Sequence, residues 1–284
     1  MAFIQLAKKR FRAPYRYIRS RYVKWRRGFG PTELLAALRE TGIRQGDSVL
    51  VHSGIAGFEG FDGTVPDIVA VFEDSVGPGG TLMMPTLSVS GSAIEFAQSG
   101  RIFDPRTTPS QVGLLSEVFR RSPGVIRSIH PTHSVAAWGK NTDWWLENHR
   151  VAMTPCGRGT PYYRLLERNG KIVLAGTGIA AMTFFHCAEE LLESRMPFSP
   201  FTTERYVMSC RVNGQLMKTN SMRLYAPAVS SRRCLVPLEM ELRTKGRLQE
   251  TRTGTLTVIV LAVADVWRTL EEMSNRGVFC YKPQ

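Results

Sequence analysis

Apolar and polar positions along this chain follow two alternating periods. Short aliphatic or β-branched runs at Ser48–His52, Gly80–Pro85, Val125–Ile129, Ser134–Trp138 and Lys171–Ala175 read as strands. The stretches near 31–41, 64–76, 111–121, 141–148, 160–168 and 180–194 read as helices. Strands that alternate with helices in this way predict an α/β fold, a mixed or parallel sheet covered by helices on both faces. After Pro200 the pattern changes. Arg205–Val212 and Leu256–Ala264 are strand-like, and a last helix is expected over Asp265–Asn275. The C-terminal part therefore contains β-structure, as a subdomain or as an extension of the sheet.

The segment IVLAGTGIAAMTFFHCAEE (172–190) concentrates the chemistry. An apolar strand ends in Gly-Thr-Gly, and a helical segment follows with Thr183, His186 and Glu189 three residues apart. That spacing puts a hydroxyl, an imidazole and a carboxylate on nearly one helical face. The strand before them delivers that face to the C-terminal edge of a sheet, where α/β proteins keep their reactive groups. Imidazole titrates near neutrality, and a carboxylate beside it can fix its tautomer. The pattern reads as a general base with an orienting partner. Gly176-x-Gly178-x-x-Ala181 also mimics a dinucleotide fingerprint, which requires a second strand ending in an acid about 20 residues on. The chain instead runs RMPFSPFTTERY, interrupted by Pro197 and Pro200.

Two further segments share this grammar. In RSIHPTHSVAAWG (127–139), His130 and His133 flank Pro131 and Thr132, and Ser134 follows. A metal pair is disfavoured, because the loop lacks the helical spacing of zinc hydrolases and offers no third ligand. What remains is a hydrogen-bonded turn, or a polar loop whose imidazoles and hydroxyl meet a ligand at a strand end. In DSVLVHSGIAGFEGFDGT, Ser53-Gly54 opens a loop through Gly57, Gly60 and Gly63, ahead of a helix starting near Thr64 with Pro66 in its first turn. Glycines let backbone amides approach a ligand, and the Ser53 hydroxyl is free to donate.

Taken together these blocks resemble the aminoglycoside 3-N-acetyltransferase family. GDSVLVHSG, VGPGGTLMMPT, FDPRTTPSQVGLLSEVFRRSPGVIRSIHPTHSVAAWG and CGRGTPYYRLLERNGKIVLAGTGIAAMTFFHCAEE occur in the family's order, from about Pro31 to Met273. The resemblance implies a single α/β domain that takes acetyl-CoA as co-substrate and acetylates an amine of an aminocyclitol or amino sugar, with no metal. It makes His186 the catalytic histidine, with Glu189 and Thr183 beside it. It also assigns Ser53, His130, Ser134 and Thr160 to the acetyl-CoA and substrate pocket. Two positions depart from the family. Gly54 stands where a second serine is common, and Thr160-Pro161 stands for Ser-Pro. Cys187 adjoins His186 but projects about a hundred degrees away on a helix, so direct transfer is expected rather than an acyl-enzyme.

Composition changes this picture in one respect. The 284 residues are 43% hydrophobic, enough for a sizeable core, and no apolar run is long enough to span a bilayer. Five cysteines without a pairing pattern suit a reducing compartment, and the basic N-terminus lacks the apolar stretch of a secretory signal, so a cytoplasmic location is expected. The net charge of +13 is uneven: residues 1–30 hold ten Lys or Arg and no acid, leaving 27 cations against 24 acids in residues 31–284. The division expected is a basic aromatic arm over 1–30 and one catalytic domain over 31–284. The arm's interleaved aromatics suit the anionic inner face of a membrane, or else pack on the body. No nucleic-acid reading module is visible.

A polycationic acceptor calls for carboxylates, and Glu189, Glu190, Glu193 and Glu204 are the candidates for an acidic patch. The arginines after the helix argue the other way, toward an amino-sugar N-acyltransferase of surface-polysaccharide or natural-product synthesis. An inactive membrane- or polyanion-binding scaffold is the non-enzymatic alternative.

Overall fold

The structure, a computed structural model, describes residues 21–89 and 91–282. Its centre is a seven-stranded sheet built from β1 (Ser48–Ser53), β2 (Thr81–Pro85), β3 (Ile126–Arg127), β4 (Val135–Gly139), β5 (Lys171–Ala175), β6 (Gln249–Thr253) and β7 (Leu256–Ala262). The spatial order is β6-β7-β5-β1-β2-β4-β3. Only the middle is parallel, β1 pairing with β2 and β5; the outer pairings are antiparallel. The sheet is therefore mixed, and the strand-like C-terminal run extends it instead of forming a separate unit.

Both faces are covered, and the period-two alternation of the strands shows why. Val49, Val51, Leu82, Met84, Val173 and Val258 point to one core, with helices α1 (Pro31–Glu40), α2 (Val65–Val76) and α3 (Leu114–Phe119). Leu50, Met83, Ile172, Leu174, Ile259 and Leu261 point to the other, beneath α4 (Pro161–Glu167), α5 (Phe184–Leu191), α6 (Val236–Thr244) and α7 (Val263–Asn275). A strand apolar at every position is one buried on both sides. The α2 helix starts as its sequence requires, with a Thr64–Asp67 capping box and Pro66 in the first turn.

Several expected boundaries move. The expected strand 125–129 shrinks to the two-residue edge strand β3. The expected strand 205–212 is two strands in different sheets: Phe201–Tyr206 pairs with Met222–Tyr225, whereas Ser209–Val212 pairs with Gln215–Lys218 and Ile102–Phe103. The second pairing is closed by Asn213-Gly214, both at positive φ, the chemistry of a tight hairpin turn. The expected helix 180–194 is α5 alone, flanked by short 3-10 turns at Ile179–Ala181 and Glu193–Arg195. The packed body begins at Phe29, whose ring is buried against Phe58 and Phe61. Residues 1–20 of the expected arm lie outside the described residues. Among the described residues no helix is long and apolar enough to cross a membrane.

Candidate active site

Parallel pairing of β1 with β5 sets Ser53 beside Ala175, so the loops leaving both strands meet at the C-terminal edge of the sheet. Their contact is backbone to backbone: Gly54 N–H donates to the Ala175 carbonyl at 2.9 Å, and a Cβ at Gly54 would collide with the Gly176 carbonyl oxygen. Gly176 itself sits at φ +67°, where a side chain is strained. The chain then passes the 3-10 turn and enters α5.

On α5 the His186 Nδ1 and Glu189 Oε2 lie 3.1 Å apart. Glu189 is wholly buried, whereas the His186 side chain keeps 22% exposure. Donation from Nδ1–H to the carboxylate leaves Nε2 as the basic nitrogen. Burial lowers the His186 pKa below the usual imidazole range, and the Glu189 hydrogen bond offsets part of that shift. The imidazole is thus neutral and able to accept a proton at physiological pH.

Three groups around this pair come from far along the chain. Arg233 donates from Nε and Nη2 to the two Glu189 oxygens at 3.0 and 2.9 Å, a two-pronged ion pair. The Tyr281 hydroxyl also donates to Glu189. The Tyr225 ring lies 4.9 Å from the His186 ring, beneath the Arg233 guanidinium. Nothing local in the sequence marks these residues, since 44 positions separate Arg233 from Glu189. His52 was also missed, although a histidine ending an apolar strand beside a glycine loop was a usable signal. It is buried, its Nε2 accepts from Thr183 N–H at 3.4 Å, and burial pushes its pKa down to about 3. His52 ties the end of β1 to the start of α5.

Thr183 lies between two cavities. One, of about 240 Å³, is lined by Val51, His52, Ser53, Pro85, Ser116 and Thr183. The other, of about 440 Å³, runs along Thr183, Phe185 and His186 to Arg233, Glu239 and Lys282. Thr183 forms no side-chain hydrogen bond to a described residue, so its hydroxyl is available to a ligand. Ser53, Thr183, His186 and Glu189 are thus brought together.

The other expected pocket residues sit deeper. Ser134 is fully buried and donates to the Thr86 carbonyl at 2.8 Å while receiving the Arg127 Nε–H at 3.0 Å. Thr160 is fully buried, caps α4 and donates to the Gly157 carbonyl at 2.7 Å. His130 accepts the His133 N–H at Nδ1, stacks near His149, and leaves a buried Nε2 without a partner. None of these three lines either cavity. His133 is closer to the reactive pair, its ring 6.3 Å from that of His186.

The expected acidic patch is absent as a set of free charges. Glu189 is neutralised by Arg233, and Glu193 is bound by both terminal nitrogens of Arg223 at 2.7 Å. Glu190 is half-buried and held by the Thr154 and Tyr225 hydroxyls and the Cys156 N–H, and desolvation raises its pKa to about 7. Glu204 holds the exposed Tyr206 hydroxyl and lines neither cavity. Cys187 is fully buried in the core, where burial raises its thiol well above the usual range. Among the described residues no cluster of three His, Cys, Asp or Glu is placed to hold a metal ion.

A family model described as aminoglycoside 3-N-acetyltransferase matches residues 50–275, well over half of the chain. The chain belongs to that family. Curated relatives in the aminoglycoside 3-N-acetyltransferase family include aminoglycoside N(3)-acetyltransferase III of Acinetobacter baumannii, 29% identical over 55% of this chain and 59% of the relative. Another is aminoglycoside N(3)-acetyltransferase IX of Micromonospora chalcea, 31% identical over 63% of this chain and 66% of the relative. The matches thus span about three fifths of those relatives. Aminoglycoside acetyltransferase AAC(3)-Xa shares the fold with a TM-score of 0.78 at 23% identity, over 92% of this chain and 99% of the other. A second structure, AAC-IIIb bound to CoASH, gives a TM-score of 0.74 at 21% identity, over 90% and 99%.

Proposed function

We propose that this chain is an acetyl-CoA-dependent N-acetyltransferase acting on an amine of an aminocyclitol or amino sugar. The observation that carries the reading is the His186–Glu189 pair opening onto a cavity at the edge of the sheet, with Thr183 and Ser53 beside it. Family membership supports it, as do one fold neighbour solved with CoASH and another solved in complex with a gentamicin.

The chemistry follows from the residues. An amine attacks only when its nitrogen lone pair is free, and the bare Nε2 of His186 accepts the proton that attack releases. Attack on the thioester carbonyl forms the C–N bond and places negative charge on oxygen. The hydroxyls of Thr183 and Ser53, which line one cavity, would donate to that charge. Cleavage of the C–S bond then expels the thiol, which receives its proton back through His186. Glu189, held by Arg233 and Tyr281, orients the ring and supports the transient imidazolium. The cavity beside Ser53, about 240 Å³ and walled in part by Val51, Pro85, Val112 and Ala181, suits the thioester end of the acetyl donor. Cys187 lies buried in the core and offers the cavity no thiol, which supports direct transfer.

Thiol release with a panel of amines tests the reading. His186→Ala is expected to lower kcat by about a hundredfold or more with acetyl-CoA affinity retained, and Glu189→Gln less, since it orients the ring. Near-normal turnover by His186→Ala removes the histidine from its role. Absence of thiol release from wild-type protein favours the inactive scaffold.

The N-terminal arm supports a second proposal, that the enzyme works at the inner face of an anionic membrane. Tyr22 and Trp25 are 57% and 77% exposed on the helical stretch 21–27, so these two rings do not pack into the body.

A further inference from the structure

The cavity beside His186 has the wrong charge for a polycation. Among the described residues its single acid is Glu239, which is bound to Arg243 at 2.9 and 3.1 Å. Its cations are Arg233 and Lys282. Arg233 engages Glu189 through Nε and Nη2, leaving Nη1 without a hydrogen bond to any described residue. Lys282 has no acidic partner among the described residues. Arg232, which donates to the Lys282 carbonyl at 2.9 and 3.1 Å, adds a third cation at this edge.

A second cavity touches the C-terminal end of α5 at Glu190 and Leu191. That cavity, about 480 Å³, is lined by Arg158 and by Arg223, which is paired with Glu193; among the described residues its one carboxyl is Glu190, hydrogen-bonded to Thr154, Cys156 and Tyr225. In the cavity beside His186 a substrate with several ammonium groups would meet Arg233 and Lys282 and, among the described residues, no unpaired carboxylate. Like charges brought together in a partly desolvated cleft repel. An acidic group on the acceptor meets the opposite situation, the Lys282 ammonium, which has no acidic partner among the described residues, and an arginine edge.

We propose that the acceptor is an amino sugar bearing an anionic group, a phosphate or a carboxylate, held by Lys282 and the outer nitrogen of Arg233 while its amine faces His186. This rests on the acetyl-transfer reading above and narrows its substrate class. The anion anchors the sugar at the mouth of the cavity, and the ion pair behind it keeps Glu189 neutralised. A free sugar phosphate, a nucleotide-linked sugar and an amino-uronic acid share this chemistry.

The test uses the full chain with acetyl-CoA and four amines: glucosamine, glucosamine 6-phosphate, 2-amino-2-deoxyglucuronic acid and kanamycin A. Thiol release gives kcat/KM and calorimetry gives each amine's Kd. The expected result is a preference of about tenfold or more for an anionic sugar over both glucosamine and kanamycin A, shrinking at high salt. The two anionic sugars separate phosphate from carboxylate recognition. Lys282→Glu should abolish the preference, and Lys282→Arg should keep it. Kanamycin A matching or exceeding both anionic sugars overturns the proposal, as does an unchanged preference in Lys282→Glu. If amines bind but none releases thiol, the transfer reading fails, while the order of the Kd values still decides the charge of the acceptor.

Discussion

Arg233 is the residue that sets the electrostatics of the reactive pair. A lone buried carboxylate next to imidazole would raise the imidazole pKa and hold it protonated. With its guanidinium on both Glu189 oxygens, Arg233 cancels much of that field and lowers the His186 pKa. Removing the cation therefore has a definite sign. In Arg233→Met the imidazole becomes easier to protonate, so the ascending limb of the kcat–pH profile should move to higher pH by about one unit. Movement to lower pH, or none, would show that Glu189 acts without its partner.

At the scale of elements, the site depends on two loops pressed together. The loops after β1 and β5 touch through Gly54, Gly57 and Gly176, and a Cβ on Gly57 would lie 2.6 Å from the Gly176 Cα. Gly54, a departure from the family's common serine, therefore has a packing reason in this chain: no side chain fits between it and the Gly176 carbonyl. Gly54→Ser should destabilise the fold by roughly 1–3 kcal/mol, the usual cost of overpacking a closed contact. Urea unfolding measures it. A variant as stable as wild type, with restored or increased turnover, would return Gly54 to the role of a missing hydroxyl.

At the scale of the whole molecule, buried imidazoles make the protein acid-sensitive. His52 and His149 are enclosed, with pKa values pushed down to about 3 and about 4, and burial also lowers His130 and His133. In the unfolded chain each titrates near 6.5. Between these values the unfolded state binds more protons, so stability is complete above about pH 6.5 and falls as the pH drops toward the folded values. The urea midpoint should decline from pH 7 to pH 5, and His52→Gln should flatten the decline relative to wild type. A midpoint independent of pH over that range contradicts the burial. The N-terminal arm belongs to this scale too. Deleting residues 1–28, which stops short of the packed Phe29, should release the protein from anionic liposomes and leave kinetics with soluble amines unchanged. If the truncated chain fails to fold, the arm is part of the core. If it stays on the liposomes, another surface binds them.

The central strands, the long helices and the Thr183–His186–Glu189 face were legible in the sequence because each depends on local periodicity. Period two buries Ile172–Ala175 on both sides, and a three-residue step aligns the imidazole with its carboxylate. The strand β3 and the split of 205–212 were not legible, because edge pairing is decided by which distant strand is available, not by the run's own residues. The same holds for the charge of the site. Four glutamates in a short stretch look acidic on paper, yet Arg233, Arg223, Tyr225 and Tyr281 arrive through tertiary packing and take up three of them. Ser134 and Thr160 show the reverse case: hydroxyls placed near reactive motifs whose partners in the fold are internal. Local spacing by itself determined where the imidazole and its carboxylate partner stand. Only the folded chain, which sets the electrostatic surroundings through contacts far apart in sequence, decided what charge that imidazole faces.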